Sequence, residues 1–116
     1  MGEMIGKVYL DTTYYPGKDL YSDGAIEDEM LAIARDYTPQ QFNSVIREKE
    51  SWPILYHFSH IRENILGWLP FTGEEKVLEV GAGCGAVTGA LCRKAKEVTS
   101  IDLSMKRSRI NAYRHK

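Results

Sequence analysis

The sequence predicts an α/β fold built on a pair of parallel strands. Three observations carry that expectation. Residues 77–80, V-L-E-V, form a short aliphatic run that meets glycine directly, as a buried parallel strand does. Gly81, Gly83 and Gly85 then alternate with the small residues Ala82, Cys84 and Ala86. Glycine permits positive φ and close backbone approach, so this spacing describes a tight turn shaped to lie against a ligand. Finally, Val87, Ala90 and Leu91 recur at helical spacing, and Val98, Ser100 and Ile101 come next as a second short strand that ends at Asp102. Strand, glycine turn, helix, strand and acid make a βαβ unit with a nucleotide-type pocket at the strand tips.

Composition bounds the rest. A chain of 116 residues suffices for one modest domain. Its formal net charge is −1 and its pI about 6.3, so no global field recruits nucleic acid or an anionic membrane. No apolar run approaches the roughly 18 residues of a membrane span, and residues 1–10 lack a secretory core. Cys84 and Cys92 suggest no disulfide framework, and reduced thiols in a cytoplasmic protein are expected.

In chain order, residues 4–10 are a weak strand candidate through Val8, Tyr9 and Leu10. Residues 11–23 are rich in Tyr, Asp, Gly and Pro and read as loop, with a turn at Pro16-Gly17. Tyr9, Tyr14, Tyr15 and Tyr21 suit amphipathic cover over a small core better than a dedicated pocket. Ser22 or Asp23 can cap a helix to about Asp36, with Ile26, Met30, Ile33 and Ala34 on one face. Thr38 caps the next helix, Pro39 starts it, and Phe42, Val45 and Ile46 form its apolar stripe. Trp52-Pro53 breaks the helical pattern. Ser59 can cap a third helix on which Ile61, Ile65 and Trp68 share a side. Residues 1–72 thus read as a mainly helical cap segment, and 73–116 as the βαβα part. A last helix from Ser104 carries Lys106, Arg107, Arg109, Arg114 and Lys116, read as a solvated face in preference to a nucleic-acid patch.

The glycine turn satisfies two patterns. Gly81-x-Gly83-x-x-Ala86, with Asp102 about 20 residues on, matches the dinucleotide fingerprint. Glu79 discriminates. A diphosphate needs backbone N–H donors and no adjacent anion, and Glu79 stands two residues before the first glycine. It favours a ligand with a cationic ammonium or sulfonium.

The run V-L-E-V-G-A-G-C-G-A at 77–86, with Asp102 closing the next strand, resembles the first two cofactor motifs of the class I S-adenosylmethionine (SAM)-dependent methyltransferases. The resemblance covers about residues 52–116. It implies a Rossmann-like, doubly wound parallel sheet and SAM as the small-molecule cofactor. It further implies that Gly81, Ala82, Gly83 and Gly85 pass under the methionine part and the adenosine. Glu79 would help hold the amino end, Asp102 the ribose hydroxyls, and Leu103 and Ser104 would lie near the adenine. Residues 52–59 resemble in placement the family's N-terminal cap, which puts Tyr56 or His57 near the cofactor carboxylate. The tenor of residues 55–57 through 111–113 is most similar to bacterial methyltransferase domains found beside sugar transferases. The rRNA adenine dimethyltransferases share a similar first motif and are the competing subfamily.

One departure is informative. Family members complete a sheet of roughly seven strands in about 200 residues, and this sequence carries two strands of that layout. It therefore reads as the N-terminal cofactor-binding portion of a methyltransferase, inactive alone, with an acceptor and catalytic residues it does not name. Its open sheet edges predict completion by the remainder of a longer chain or by a second copy. The competing readings are an NAD-type oxidoreductase fragment and a non-catalytic interaction module. His57 and His60 lack further converging ligands, so no metal site is expected. Cys84 could be a reactive thiol, but a small residue where bulk is forbidden is the better reading.

Overall fold

The computed structural model describes residues 2–20 and 24–116. The chain opens on an antiparallel hairpin, β1 (Gly2–Ile5) and β2 (Val8–Asp11), paired Gly2 to Asp11 and Ile5 to Val8. The sequence predicts only one weak strand here. Gly6, at φ 58°, supplies the positive φ that a two-residue hairpin turn requires, and the Gly6-Lys7 pair is a weaker turn signal than Asn-Gly or Asp-Gly. The helix caps expected at Ser22 and Asp23, and the role expected of Tyr21, lie outside the described residues.

Helix α1 (Ile26–Asp36) buries Met30, Ile33 and Ala34, the stripe read from the sequence, together with Glu27. A 3₁₀ turn at Pro39–Gln41 leads into α2 (Phe42–Lys49), and Gln41 Oε1 accepts from the Thr38 N–H at 2.8 Å. Glu50 ends α2 in the left-handed conformation, at φ 49°. Trp52-Pro53 then starts a helix instead of merely breaking one: α3 (Trp52–Phe58) begins there. Proline is tolerated in a first helical turn because its missing N–H has no partner to lose. Ser59 Oγ accepts from the Ile61 N–H at 3.3 Å, so the expected cap is present. It opens a 3₁₀ turn and the short α4 (Asn64–Gly67) in place of one long helix, and Ile61, Ile65 and Trp68 face solvent.

The parallel pair is β3 (Lys76–Val80) and β4 (Glu97–Ile101), joined through α5 (Thr88–Lys94) and in register from Lys76–Glu97 to Val80–Ile101. Alternation puts Val77, Glu79, Val98 and Ser100 on one side, where they are part-covered except for Ser100, and Leu78, Val80, Thr99 and Ile101 on the other. That second side is bare: Leu78 is 61% and Val80 73% exposed. The chain closes with α6 (Met105–Arg114), packed along α1 and against β2.

The main core lies between α1, α2, α3 and α6. Met30, Phe42, Ile54, Phe58 and Ile110 are fully buried there, with Cys84 of the glycine turn among them. Phe42 and Phe58 meet edge to face at 4.8 Å, a favoured arrangement for aromatic pairs. The basic residues of α6 and its end are mostly engaged. Arg107 pairs with buried Glu27 at 2.7 Å, Lys106 with Asp28, Arg109 with Glu3, and Lys116 donates to the Arg35 carbonyl. Arg114 is itself buried. The solvated basic face expected of this helix is therefore, in large part, a seam of ion pairs to α1 and β1.

The α6 N-terminus is capped twice. Ser104 Oγ accepts from the Arg107 N–H, and Asp19 reaches in from the N-terminal loop to accept from the Met105 and Lys106 N–H groups. The described structure is thus mixed helix and strand with a small parallel sheet.

Candidate functional site

The site is built where β3 gives way to α5. Gly81, Gly83 and Gly85 stand at φ 69°, 58° and 85°, in the left-handed region that glycine alone adopts freely. Their reasons differ. A Cβ on Gly81 or Gly83 would meet nothing within 4 Å, so these residues present bare backbone to open space. A Cβ on Gly85 would stand 2.1 Å from Asn111 Oδ1, so that glycine admits an α6 side chain beneath the turn.

The turn is pinned to the tip of β4. Gly81 and Ala82 both donate N–H bonds to the Ile101 carbonyl, at 2.9 and 3.1 Å. Asp102 Oδ2 accepts from the Gly83 N–H at 2.8 Å, and its Oδ1 from the Ser104 N–H at 2.9 Å. The acid after the second strand is therefore a clasp that holds the glycine turn to the start of α6. Two of the roughly four lone-pair positions of a carboxylate are used this way.

Glu79 is half-buried on the α5 side of the sheet. Its Oε1 accepts from Thr88 Oγ at 2.6 Å and from Ser100 Oγ at 2.7 Å. Part of its charge is thus compensated by hydroxyl dipoles, and the side chain is anchored in place instead of lying loose over the turn.

Above the turn lies a cavity of about 750 Å³, within the size range of small-molecule sites. Glu79, Gly81, Ala82 and Gly83 form its floor, and α3 supplies a wall of Trp52, Tyr56 and His57. The Arg62 guanidinium lies 4.3 Å from the centre of the Tyr56 ring, a cation–π contact at the cavity wall. Of the residues singled out from the sequence, Tyr56, Glu79, Gly81, Ala82 and Gly83 share this cavity. Gly85 lies under the turn, Asp102 clasps it, and Leu103 projects into solvent, 75% exposed.

Arg62, Trp52 and Arg107 also line the cavity, and no sequence motif marks them for it. Trp52 belongs to a stretch that reads as cap, and Arg62 is six residues past Tyr56, a separation that only the 3₁₀ turn after α3 folds back. The turn and the α3 wall are joined from below by Arg114. Its guanidinium donates to the carbonyls of His57, Phe58 and Cys84 and lies over the Phe42 and Phe58 rings. Burial lowers its pKa to about 10, so it stays charged at neutral pH.

Cys84 is nearly inaccessible, and burial pushes its thiol up to about 12. A thiol so protonated is inert, which leaves packing as its role. His60 stacks on Phe42 and approaches Glu63 at 3.6 Å. Among the described residues, no three His, Cys, Asp or Glu side chains converge as a metal site would require. No described helix is long and apolar enough to cross a membrane.

A second hollow of about 670 Å³ runs along the outer edge of β3, walled by Leu66, Leu69, Phe71, Leu78, Val87 and Leu91. It is apolar and joins the bare side of the sheet.

No family model matches the sequence, and no solved structure matches it. The chain is 34% identical over 80 residues to a protein-L-isoaspartate O-methyltransferase of Dictyoglomus turgidum (strain DSM 6724 / Z-1310), an alignment covering 65% of this chain and 36% of that protein. The chain spans about a third of the length of the curated relative it matches. This distant, partial likeness supports a relationship to methyltransferases.

Proposed function

We propose that the chain is the cofactor-binding portion of a SAM-dependent methyltransferase with a Rossmann-like sheet. The observation that carries the reading is the cavity in which an anchored carboxylate, bare glycine backbone and a Tyr56–Arg62 wall face one another. Glu79 suits the ammonium of an amino-acid-bearing nucleoside. Arg62 suits its carboxylate, since a guanidinium offers paired donors to that planar group. Gly81 and Gly83 let the ligand approach the backbone, and the lone pairs that Asp102 does not spend on Gly83 and Ser104 suit ribose hydroxyls. An anionic diphosphate at the same turn would meet Glu79 at an electrostatic cost. The partial likeness to a methyltransferase points the same way.

When bound, the cofactor supplies an already activated methyl on a sulfonium. The protein's part is alignment and exclusion of water. Tyr56 and Trp52 supply the apolar wall for that exclusion, and the Arg114 bonds hold α3 against the turn. The free edges of β3 and β4 are where further strands pair, and the bare side of the sheet with the apolar hollow beside it is where helices pack, from the rest of a longer chain or from a second copy.

Calorimetric titration with S-adenosylhomocysteine and with NAD tests the reading. The expected result is a dissociation constant at least about ten-fold lower for S-adenosylhomocysteine, since one extra repulsive contact of about 1.4 kcal/mol suffices for that ratio. Tighter binding of NAD overturns it.

A further inference from the structure

Behind the glycine turn runs an unbroken line of hydrogen bonds that the cavity itself does not display. His115 Nδ1 faces two acceptors of Asn111, the backbone oxygen at 2.9 Å and Oδ1 at 2.8 Å, so that nitrogen carries the proton. The Asn111 amide then donates through Nδ2 to Thr88 Oγ at 3.2 Å. Thr88 passes its own hydroxyl hydrogen to Glu79 Oε1 at 2.6 Å, and Ser100 adds a second at 2.7 Å. Every donor in the line points toward the carboxylate. Thr88 and Asn111 are both buried, 5% and 8% exposed, where such a chain polarises its members and is stronger than in water. Gly85 is part of the same device. Only a residue without Cβ leaves room for the Asn111 amide at that point of the turn.

We infer that Thr88 and Asn111 are positioning residues that fix the Glu79 carboxylate, through the line from His115, for the ammonium end of an amino-acid-bearing nucleoside, and so set discrimination between ligands that have that end and ligands that lack it. The inference rests on the cofactor reading above. It adds that specificity is set from behind the turn, by residues that never touch the ligand. Without the line, the carboxylate keeps its charge and its bond from Ser100 but loses the Thr88 dipole that fixes it from the α5 side. A nucleoside end set over the open backbone of Gly81 and Gly83 would be untouched by that loss.

The test compares S-adenosylhomocysteine with methylthioadenosine, which has the same nucleoside and sulfur but no amino-acid end. Both are titrated into the wild-type protein, Thr88→Val, Thr88→Ser and Asn111→Leu. The valine keeps the shape of threonine without its hydroxyl, and the serine keeps the hydroxyl. The expected result is a preference for S-adenosylhomocysteine that falls about ten-fold in Thr88→Val and Asn111→Leu, at unchanged methylthioadenosine affinity, and that returns in Thr88→Ser. Equal losses for both ligands, or an unchanged preference, overturn the inference while leaving the cofactor reading intact. A wild-type protein that binds neither nucleoside overturns the cofactor reading and this inference with it.

Discussion

The helical layer and the parallel sheet of this chain are finished to different degrees. Between α1, α2, α3 and α6, large apolar side chains are fully covered and two aromatic rings interlock. On the outer side of β3–β4, residues of the same apolar kind stand in water, with Leu78, Val80 and Ile101 exposed on one continuous stripe. A parallel sheet is normally covered on both faces. The contrast teaches that stability in this chain resides in the helical layer, while the sheet serves to present the glycine turn. Cys84 belongs to both regions: it lies in the turn and its side chain is core. The site is therefore held in place by the finished half.

The largest effect that would break this comparison comes from one pair of substitutions. Phe58→Ala removes a fully buried ring from the helical layer and should cost about 3–5 kcal/mol, read as the shift of the urea midpoint. Leu78→Thr, at an exposed strand position that tolerates β-branching, should stay within about 0.5 kcal/mol at low micromolar concentration. A costly Leu78→Thr would mean that this side of the sheet is covered in solution. Sedimentation of both proteins across concentration then identifies a second copy as the cover.

The next effect is a pH dependence rooted in the same layer. Burial is the main reason that His115 is held at about 4, below its ordinary value of 6.5, and the neighbouring Arg114 charge adds to it. The folded protein therefore keeps the imidazole neutral while the unfolded chain takes up a proton below about 6.5. Stability is fully present above that pH and falls between about 6.5 and 4, by on the order of 3 kcal/mol. Equilibrium unfolding at pH 7.5, 5.5 and 4.5 measures it. His115→Gln should flatten the fall over that window. An equally steep fall in the variant would place the proton uptake elsewhere.

How much of this is legible in the sequence depends on where each signal comes from. The glycine turn, both parallel strands and the stripe of α1 are readable, because periodicity and positive φ are local properties. So is the start of the last helix at Ser104. The hairpin at residues 2–11 is half visible, since Gly6-Lys7 is a weak turn signal between short strands. Glu27 cannot be read as buried. An acid in a first helical turn ordinarily points to solvent, and the ion pair with Arg107, 80 residues away, offsets the cost of its burial. The same holds for Asp102. Its position after a strand is legible, but its bond to the Gly83 N–H spans 19 residues and depends on how the strand tips meet. Exposed Ile61, Ile65 and Trp68 mislead for another reason. Their spacing is helical, but periodicity says which residues share a side and not whether anything covers it.

The smallest effect concerns a contact that ties the two regions together. Asp19 comes from the loop after β2, yet it accepts from the Met105 N–H at 2.8 Å, the Lys106 N–H at 3.2 Å and Ser104 Oγ at 2.9 Å. It thus satisfies the orphan donors of a helix that starts beside the glycine turn. Desolvation pushes its carboxyl up, but the backbone bonds from Met105 and Lys106 outweigh that and hold it below the usual 3.8. Its contribution is therefore present above the ordinary carboxylate range and is lost as pH falls below it. Asp19→Ala should cost about 1 kcal/mol at pH 7, the usual worth of a helix cap, and less at pH 3. Urea midpoints at the two pH values check it. The same variant discriminates between two accounts of the site. Because Ser104 also donates to Asp19 and its N–H is held by Asp102, loosening the α6 start should slacken the clasp on Gly83. Amide exchange at Gly83 should then rise in Asp19→Ala, while exchange in the middle of α1 keeps its wild-type rate relative to global stability. Unchanged exchange at Gly83 would mean that the turn is held by its bonds to the Ile101 carbonyl alone, and that the helical layer positions the site through Arg114 and Cys84 instead of through the start of α6.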